Sequence, residues 1–331
     1  MLRLYDSSAR CGQQPADLRG ATLPTNVVWI DLVRPDPDEI AFVRRTVGLD
    51  VPSIEDLSEI ESSSRLRSQN GAIYLSAPLV YRADSDQPLT TPVGFVLTRE
   101  RLITVRFEAV TAFDVFADRD LAAETNPLTG TAVFAGLMDA IADHLADILE
   151  NIAAELDTLS HRLFRNPLTE PAGRRPPARE SADLRIILRR VGHSGDLASK
   201  IRDSLHGVVR IVPYVLSLAA DWLPLEVKAR LETVRQDVLS LSDYDGHIAN
   251  KVQLLLDATL GLINVEQNNI IKVLTIVSVV GIPPTLIASM YGMNFKSIPE
   301  YDWSWGYPYG LAMIALSAIL PLFWFKWRGW V

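Results

Sequence analysis

The sequence predicts an α+β membrane protein: an N-terminal cytoplasmic α/β domain, a long helical stalk, and two C-terminal transmembrane helices. Three observations carry that prediction. Two uncharged apolar runs, residues 273–290 and 307–325, lie near the end of the 331-residue chain. Each is long enough to cross the roughly 30 Å hydrocarbon core of a bilayer as a helix. Residues 1–125 alternate β-rich runs with helical ones, and residues 126–272 are helical in pattern with one Pro-rich interruption. The bulk composition, 48% hydrophobic and 22% charged, hides the spans because a much longer polar-average region dilutes them.

In the first domain, residues 26–32 (NVVWIDL), 72–81 (AIYLSAPLVY), 94–98 (GFVLT) and 102–107 (LITVRF) read as strands, with 98–101 (TRER) as a hairpin turn. Asp36 is an N-cap with Pro37 at the first helical position, and Gly48 ends that helix after about Val47. Residues 131–164 form a long amphipathic helix, stopped by the Pro-rich segment 166–180. With residues 181–220 it makes a helical hairpin over 126–220. A third helix starts near Leu225 and meets no strong breaker, so a stalk helix (221–272) continues into the first span (273–291). Residues 292–306 are a short loop, 307–325 the second span, and 326–331 a basic tail.

Five of the seven tryptophans (Trp303, Trp305, Trp324, Trp327, Trp330) cluster at the ends of the second run. Tyr291, Tyr307 and Tyr309 join them, as an aromatic belt at headgroup level requires. Lys272 opens the first span, and Lys326 and Arg328 close the second. The loop carries only Lys296 against Glu300 and Asp302. Positive ends face the cytoplasm, so both termini are expected inside a cell (inner) membrane and the loop outside. The N-terminus has no apolar signal core, so the large domain is expected to stay inside. A lone Cys11 forms no intrachain disulfide and suits a reducing compartment.

The only polar side chains inside the first span are Thr275, Ser278, Thr285 and Ser289. At 100° per residue they fall within an arc of about 80°. Ile271, Asn268, Asn264, Gly261 and Asp257 extend the same line backwards. Two readings fit it. Small and hydroxylated residues let membrane helices pack closely, and a polar stripe can line a water-filled path. Two spans cannot enclose a channel alone, so a path needs a ring of copies. Asn268, Asn264 and Asp257 continue the polar line where packing has no need of it. Pro283-Pro284 also frees carbonyls mid-span, tolerable where neighbours or water satisfy them.

The segments Tyr291-Gly292-Met293-Asn294-Phe295, Ile298-Pro299-Glu300, Trp303-Ser304-Trp305-Gly306-Tyr307-Pro308 and Phe325-Lys326-Trp327-Arg328-Gly329-Trp330 resemble the CorA family of divalent-cation channels. The run from Asn264 to Thr275 resembles it too. The resemblance implies a homopentamer with the first span lining a central pore. It implies passive uptake of Mg²⁺, with Co²⁺ and Ni²⁺ accepted. Gly292, Met293 and Asn294 would form the selectivity filter. Asn268, Ile271, Leu274, Thr275, Ser278, Ile282, Thr285 and Ser289 would line the pore, and cytoplasmic Mg²⁺ between subunits would close it. Glu300 and Asp302 are the cation-attracting acids of the loop, although Lys296 stands where the family commonly has an acid. Asp257, Asp237 and Asp245 are candidate regulatory carboxylates; Asp243, Asp84 and Asp86 are further ones.

The chemistry agrees. Mg²⁺ dehydrates reluctantly, and a ring of Asn294 amide oxygens can bond its hydration shell and still release it. Mg²⁺ is then substrate and regulatory ligand, with no resident cofactor. No Walker-type loop is present. The five histidines lack ligand spacing, so an enzyme is not expected. The net charge of −8 suits a cation-handling domain, with no nucleic-acid partner expected. A Zn²⁺ transporter resembling ZntB is the rival reading, although such relatives tend to replace the Met that Met293 retains here. A membrane-anchored structural protein is the third reading, and it has no need of the polar stripe.

Overall fold

The structure, a computed structural model, describes all residues except 8–17, 19, 60, 62–64, 86, 122–127, 165–176, 295–298 and 331. The side chains of residues 119, 120, 177–181, 300 and 301 also lie outside the description, as does Cys11. The chain forms two compact units. One comprises Met1–Pro171 with Ile187–Leu256, the other Ala172–Ile186 with Asp257–Val331.

The first unit is built on a six-stranded sheet of order β1-β2-β6-β5-β4-β3. Its strands are β1 (Leu2–Asp6), β2 (Val27–Val33), β3 (Leu66–Gln69), β4 (Ala72–Tyr81), β5 (Leu89–Leu97) and β6 (Leu102–Arg106). All neighbours are antiparallel except β2 and β6. The turn between β5 and β6 closes where expected: Thr98 N–H donates to Arg101 O at 3.0 Å, and Arg101 N–H to Thr98 Oγ1 at 3.1 Å. β1 and β3 are not evident in the sequence, being short and, for β3, almost wholly solvent-facing. β5 begins five residues before the expected Gly94. Its Thr-Thr-Pro start reads as a breaker, yet Pro92 lies directly opposite Pro78 of β4. Both prolines lie beyond the rungs where β3 and β6 pair, so no outer strand requires their missing N–H.

Helices cover both faces. α1 (Pro37–Val47) starts with a full capping box, Asp36 and Glu39 each bonding the other's backbone N–H, and ends at left-handed Gly48 (φ 72°). With α2 (Ile54–Ser58) it buries Phe42, Val43 and Leu57 against Ile30, Leu32, Val96 and Val105. α3 (Thr111–Val115) runs on into one π-helical turn (Phe116–Asp120). Together with α4 (Gly130–Leu163), α5 (Pro177–Leu218) and the first part of α6 (Leu225–Tyr291), it packs on the opposite face. Gly207 of α5 has no side chain to spare: an added Cβ would lie 2.6 Å from Ala77 Cβ of β4. That close approach lets buried Ser204 Oγ accept the Val80 N–H at 3.1 Å, where β4 has outrun β3. At the sheet centre, buried Arg106 donates to Asp31 at 2.9 Å, and Thr104 Oγ1 donates to the same carboxylate at 2.7 Å. Neither charge is left bare, which is the condition for burying both.

Within this unit ion pairs tie the long helices together: Arg190–Glu155 (2.8 Å), Arg230–Asp139 (2.9 Å), Lys251–Asp157 (2.5 Å) and Arg202–Asp245 (2.6 Å). Solvent screens the exposed pairs, so the buried apolar seam (Leu156, Ile201, Leu231, Val238, Leu255) carries most of the association.

Candidate functional site

α6 is a single 67-residue helix that contains Pro283 and Pro284, and α7 (Gly306–Trp327) follows. Each holds an 18-residue window apolar enough to cross a membrane, with mean hydropathy 2.1 and 1.7. Only 0% and 6% of those windows are buried. A core helix of a soluble protein would hide such a surface, so these helices require an apolar solvent. Each proline lacks an N–H, leaving the Val279 and Val280 carbonyls without their usual helical partner.

In this second unit two contacts among the described residues locate the α7 segment on α6. A Cβ built on Gly310 would lie 3.9 Å from the Tyr291 ring. At the other end, Lys272 Nζ lies 5.9 Å from the Trp330 ring centroid. Trp330 is brought there by a left-handed turn at Gly329 (φ 71°), and it stacks on buried Phe325 at 5.5 Å. Helical geometry then orients the polar stripe. Lys272 and Tyr291 flank the face of α6 that turns to α7, and the stripe is centred roughly 150° away from it. Around Thr285 and Ser289 the stripe is therefore turned from the chain's own second span, whereas at the other end Asn268, Ile271 and Thr275 line a pocket with Trp330.

Two of the four stripe residues agree with that direction. Thr285 and Ser289 are exposed, and Thr275 and Ser278 are half-buried. Thr275 Oγ1 donates to Ile271 O at 2.7 Å and Thr285 Oγ1 to Gly281 O at 2.8 Å. Their protons are thus held within the helix, and their lone pairs remain for water. Ile271, Leu274 and Ile282, on or beside the stripe, are 58%, 65% and 63% exposed, the wrong state for large apolar groups unless lipid or another copy covers them. Asn268 is exposed one turn below Ile271.

Gly292 and Met293 prolong the last turn of α6. The Gly292 N–H donates to Ala288 O at 3.1 Å and the Met293 N–H to Met290 O at 3.3 Å. Gly292, Met293 and Asn294 are all exposed. A Cβ on Gly292 would come no nearer than 3.4 Å to the Ala288 carbonyl, so nothing among the described residues demands glycine there. Asp302 ends a 3₁₀ turn (Pro299–Asp302) and is exposed. Lys296 and the Glu300 side chain fall outside the described residues, and so does Asp86.

Of the expected regulatory carboxylates, Asp237 and Asp257 are exposed on α6. Asp245 is not. Its side chain is 2% exposed and Oδ2 accepts from Arg202 Nε at 2.6 Å. Burial pushes its carboxyl above the usual range, with Arg202 and then His206 pulling it back. It belongs to the α5–α6 interface, and a bridging ion cannot reach it in this conformation. The sequence hid this because Arg202 is 43 residues away and on another helix. Among the described residues no three His, Cys, Asp or Glu side chains gather closely enough to hold a metal.

Sheet domain, long helix and two exposed apolar helices together define a two-span membrane protein. The profile of the family described as CorA-like Mg²⁺ transporter protein matches residues 25–327, and the chain belongs to that family. It is 30% identical over 311 residues to the magnesium transport protein CorA of Wolinella succinogenes, covering 93% of this chain and 92% of that protein. Identity to the Escherichia coli K12 protein of the same name is 31%, over 92% of each. Among solved structures, the CorA magnesium transporter of Methanocaldococcus jannaschii aligns with TM-score 0.73 at 18% identity, over 100% of this chain and 99% of that one. The cytoplasmic domain of ZntB from Vibrio parahaemolyticus aligns with TM-score 0.50 at 12% identity, over 80% of this chain and 98% of its own. At these identities both structures speak for the fold alone.

Proposed function

We propose that this protein conducts Mg²⁺ passively into the cell through a pore lined by α6 in a ring of five copies, with both termini in the cytoplasm. The observation that carries the reading is the direction of the stripe. Thr285 and Ser289 are exposed and face away from α7, so only other copies, lipid or a water column can meet them, and lipid disfavours them. Gly292 suits the crowding that several copies create at an axis, and Asn294 presents an amide oxygen that can bond a hydrated ion without stripping it. Two positive charges falling through 100 mV gain about 4.6 kcal/mol, enough to drive uptake with no nucleotide.

The same pore passes Co²⁺ and Ni²⁺, which share the size and octahedral hydration of Mg²⁺. Ile271, Leu274 and Ile282 form the closure: a narrowed apolar ring expels water and blocks a hydrated ion. Mg²⁺ bridging carboxylates such as Asp237 and Asp257 between copies holds the ring narrow. When internal Mg²⁺ falls, those carboxylates repel, and α6, continuous from the carboxylates to the ring, relays the change.

Flux into proteoliposomes with an imposed inside-negative potential tests the reading, comparing Mg²⁺, Co²⁺, Ni²⁺ and Zn²⁺. Potential-driven Mg²⁺ entry is expected. Zn²⁺ entry without Mg²⁺ entry would transfer the protein to the ZntB-like class, and no flux of any ion would leave a structural anchor.

A further inference from the structure

A second feature lies in the first unit, on the face of the sheet covered by α2. Ser76 of β4 stands directly opposite Gly94 of β5. Two small residues therefore share one rung in a face otherwise filled by Tyr74, Val96 and Leu57. Leu57 of α2 hangs over Gly94, where an added Cβ would meet it at 2.8 Å. Beside it a cavity of about 190 Å³ remains. That is roughly the space of six waters, or of a molecule with six to ten non-hydrogen atoms.

Ser76 is among the residues lining this cavity. The residue is 5% exposed, and its Oγ has no hydrogen-bond partner among the described residues. A buried hydroxyl left unpaired weakens the fold, and an alanine or valine would remove that cost. Two guanidiniums stand at the mouth. Arg67 lies over the Tyr74 ring at 4.8 Å and forms no ion pair among the described residues. Arg65 donates Nε to the Glu59 carbonyl at 2.6 Å. Acids are present too. Asp56 is engaged in the α2 capping box, where it accepts the Ser53 N–H at 2.9 Å, and Glu59 stands at the rim.

We propose that this cavity is a binding site for a small organic carboxylate carrying a hydroxyl or ammonium group. Arg67 and Arg65 take the carboxylate, since a planar guanidinium fork matches two oxygens. Ser76 Oγ and Glu59 accept from the donor end, which excludes a dianion of the same size. The apolar wall of Leu57 and the Tyr74 ring limits the body to a few carbons. The proposal is independent of the ion path.

Thermal unfolding of the full-length protein in detergent tests it, with lactate, serine, succinate and inorganic phosphate as probes, each up to 10 mM. Ligands that bind only the folded state raise the midpoint with concentration. Lactate or serine is expected to do so, and succinate and phosphate are not. Arg67 is exposed, so Arg67→Gln will fold; it is expected to weaken binding at least tenfold. Ser76→Val is expected to raise the ligand-free midpoint and abolish the response. The proposal is overturned if neither lactate nor serine shifts the wild-type midpoint, if phosphate or succinate shifts it as much, or if Arg67→Gln or Ser76→Val responds like wild type.

Discussion

Single cysteines on α6 separate a water-lined stripe from a packing stripe by a rate. In a Cys11→Ser background, Thr285→Cys and Ser289→Cys place a thiol on the exposed stripe, and Val277→Cys and Ile287→Cys place one outside it. The cysteine thiolate attacks the sulfur of a charged methanethiosulfonate and expels sulfinate, so the rate follows the thiolate population. Placing a charge at mid-bilayer costs about 2.5–3.5 kcal/mol on insertion scales. At 1.36 kcal/mol per tenfold, a lipid-facing thiolate at Val277 is rarer by roughly 70- to 400-fold than one in water, and one at Ile287 is shielded by packing against α7. The stripe positions should therefore react with a membrane-impermeant methanethiosulfonate about two orders of magnitude faster than the other two, followed by mass spectrometry of the assembled protein. Both stripe side chains are small and point away from α7, so assembly should survive. Rates within threefold of each other at all four positions would refute the pore and return the stripe to helix packing.

Three further outcomes follow from the same geometry. Asn294→Ala should abolish selective Mg²⁺ uptake and Asn294→Asp should tighten divalent binding while slowing flux; normal uptake by an assembled Asn294→Ala protein removes Asn294 from the filter. Ile271→Ser and Leu274→Ser should leak Mg²⁺ at high internal Mg²⁺, because a polar ring stays wet; full shut-off in both variants places closure elsewhere. Burial holds the His144 imidazole below its usual pKa, against the pull of Asp147 and then Asp84. Between the lowered value and about 6.5 the unfolded chain takes up a proton that the folded one refuses, so stability is full above that window and falls as pH drops through it. His144→Gln should flatten that acid slope in thermal unfolding, and an unchanged slope assigns the loss to other groups.

Much of the architecture was legible because it follows from local rules. An apolar run of eighteen residues has one economical solution in a bilayer, and Asp36-Pro37 and Gly48 mark helix ends through their own backbone chemistry. The stripe could be drawn from periodicity, since the 100° step is the same in every α-helix. Strands β1 and β3 escaped because a four- or five-residue strand owes its existence to its neighbour's N–H and C=O groups.

The same division holds at the site. Sequence by itself determined which residues share a face of α6 and which motif follows it. Only the tertiary structure decided which way that face points, because the direction depends on where Tyr291 meets Gly310 and Lys272 meets Trp330. It also decided that Asp245 is a buried partner of Arg202 while Asp237 is exposed, and that Ser76 sits unpaired beside a cavity. A carboxylate or a hydroxyl has the same formula wherever it stands. Burial and partner are set by residues tens of positions away, which no local pattern encodes.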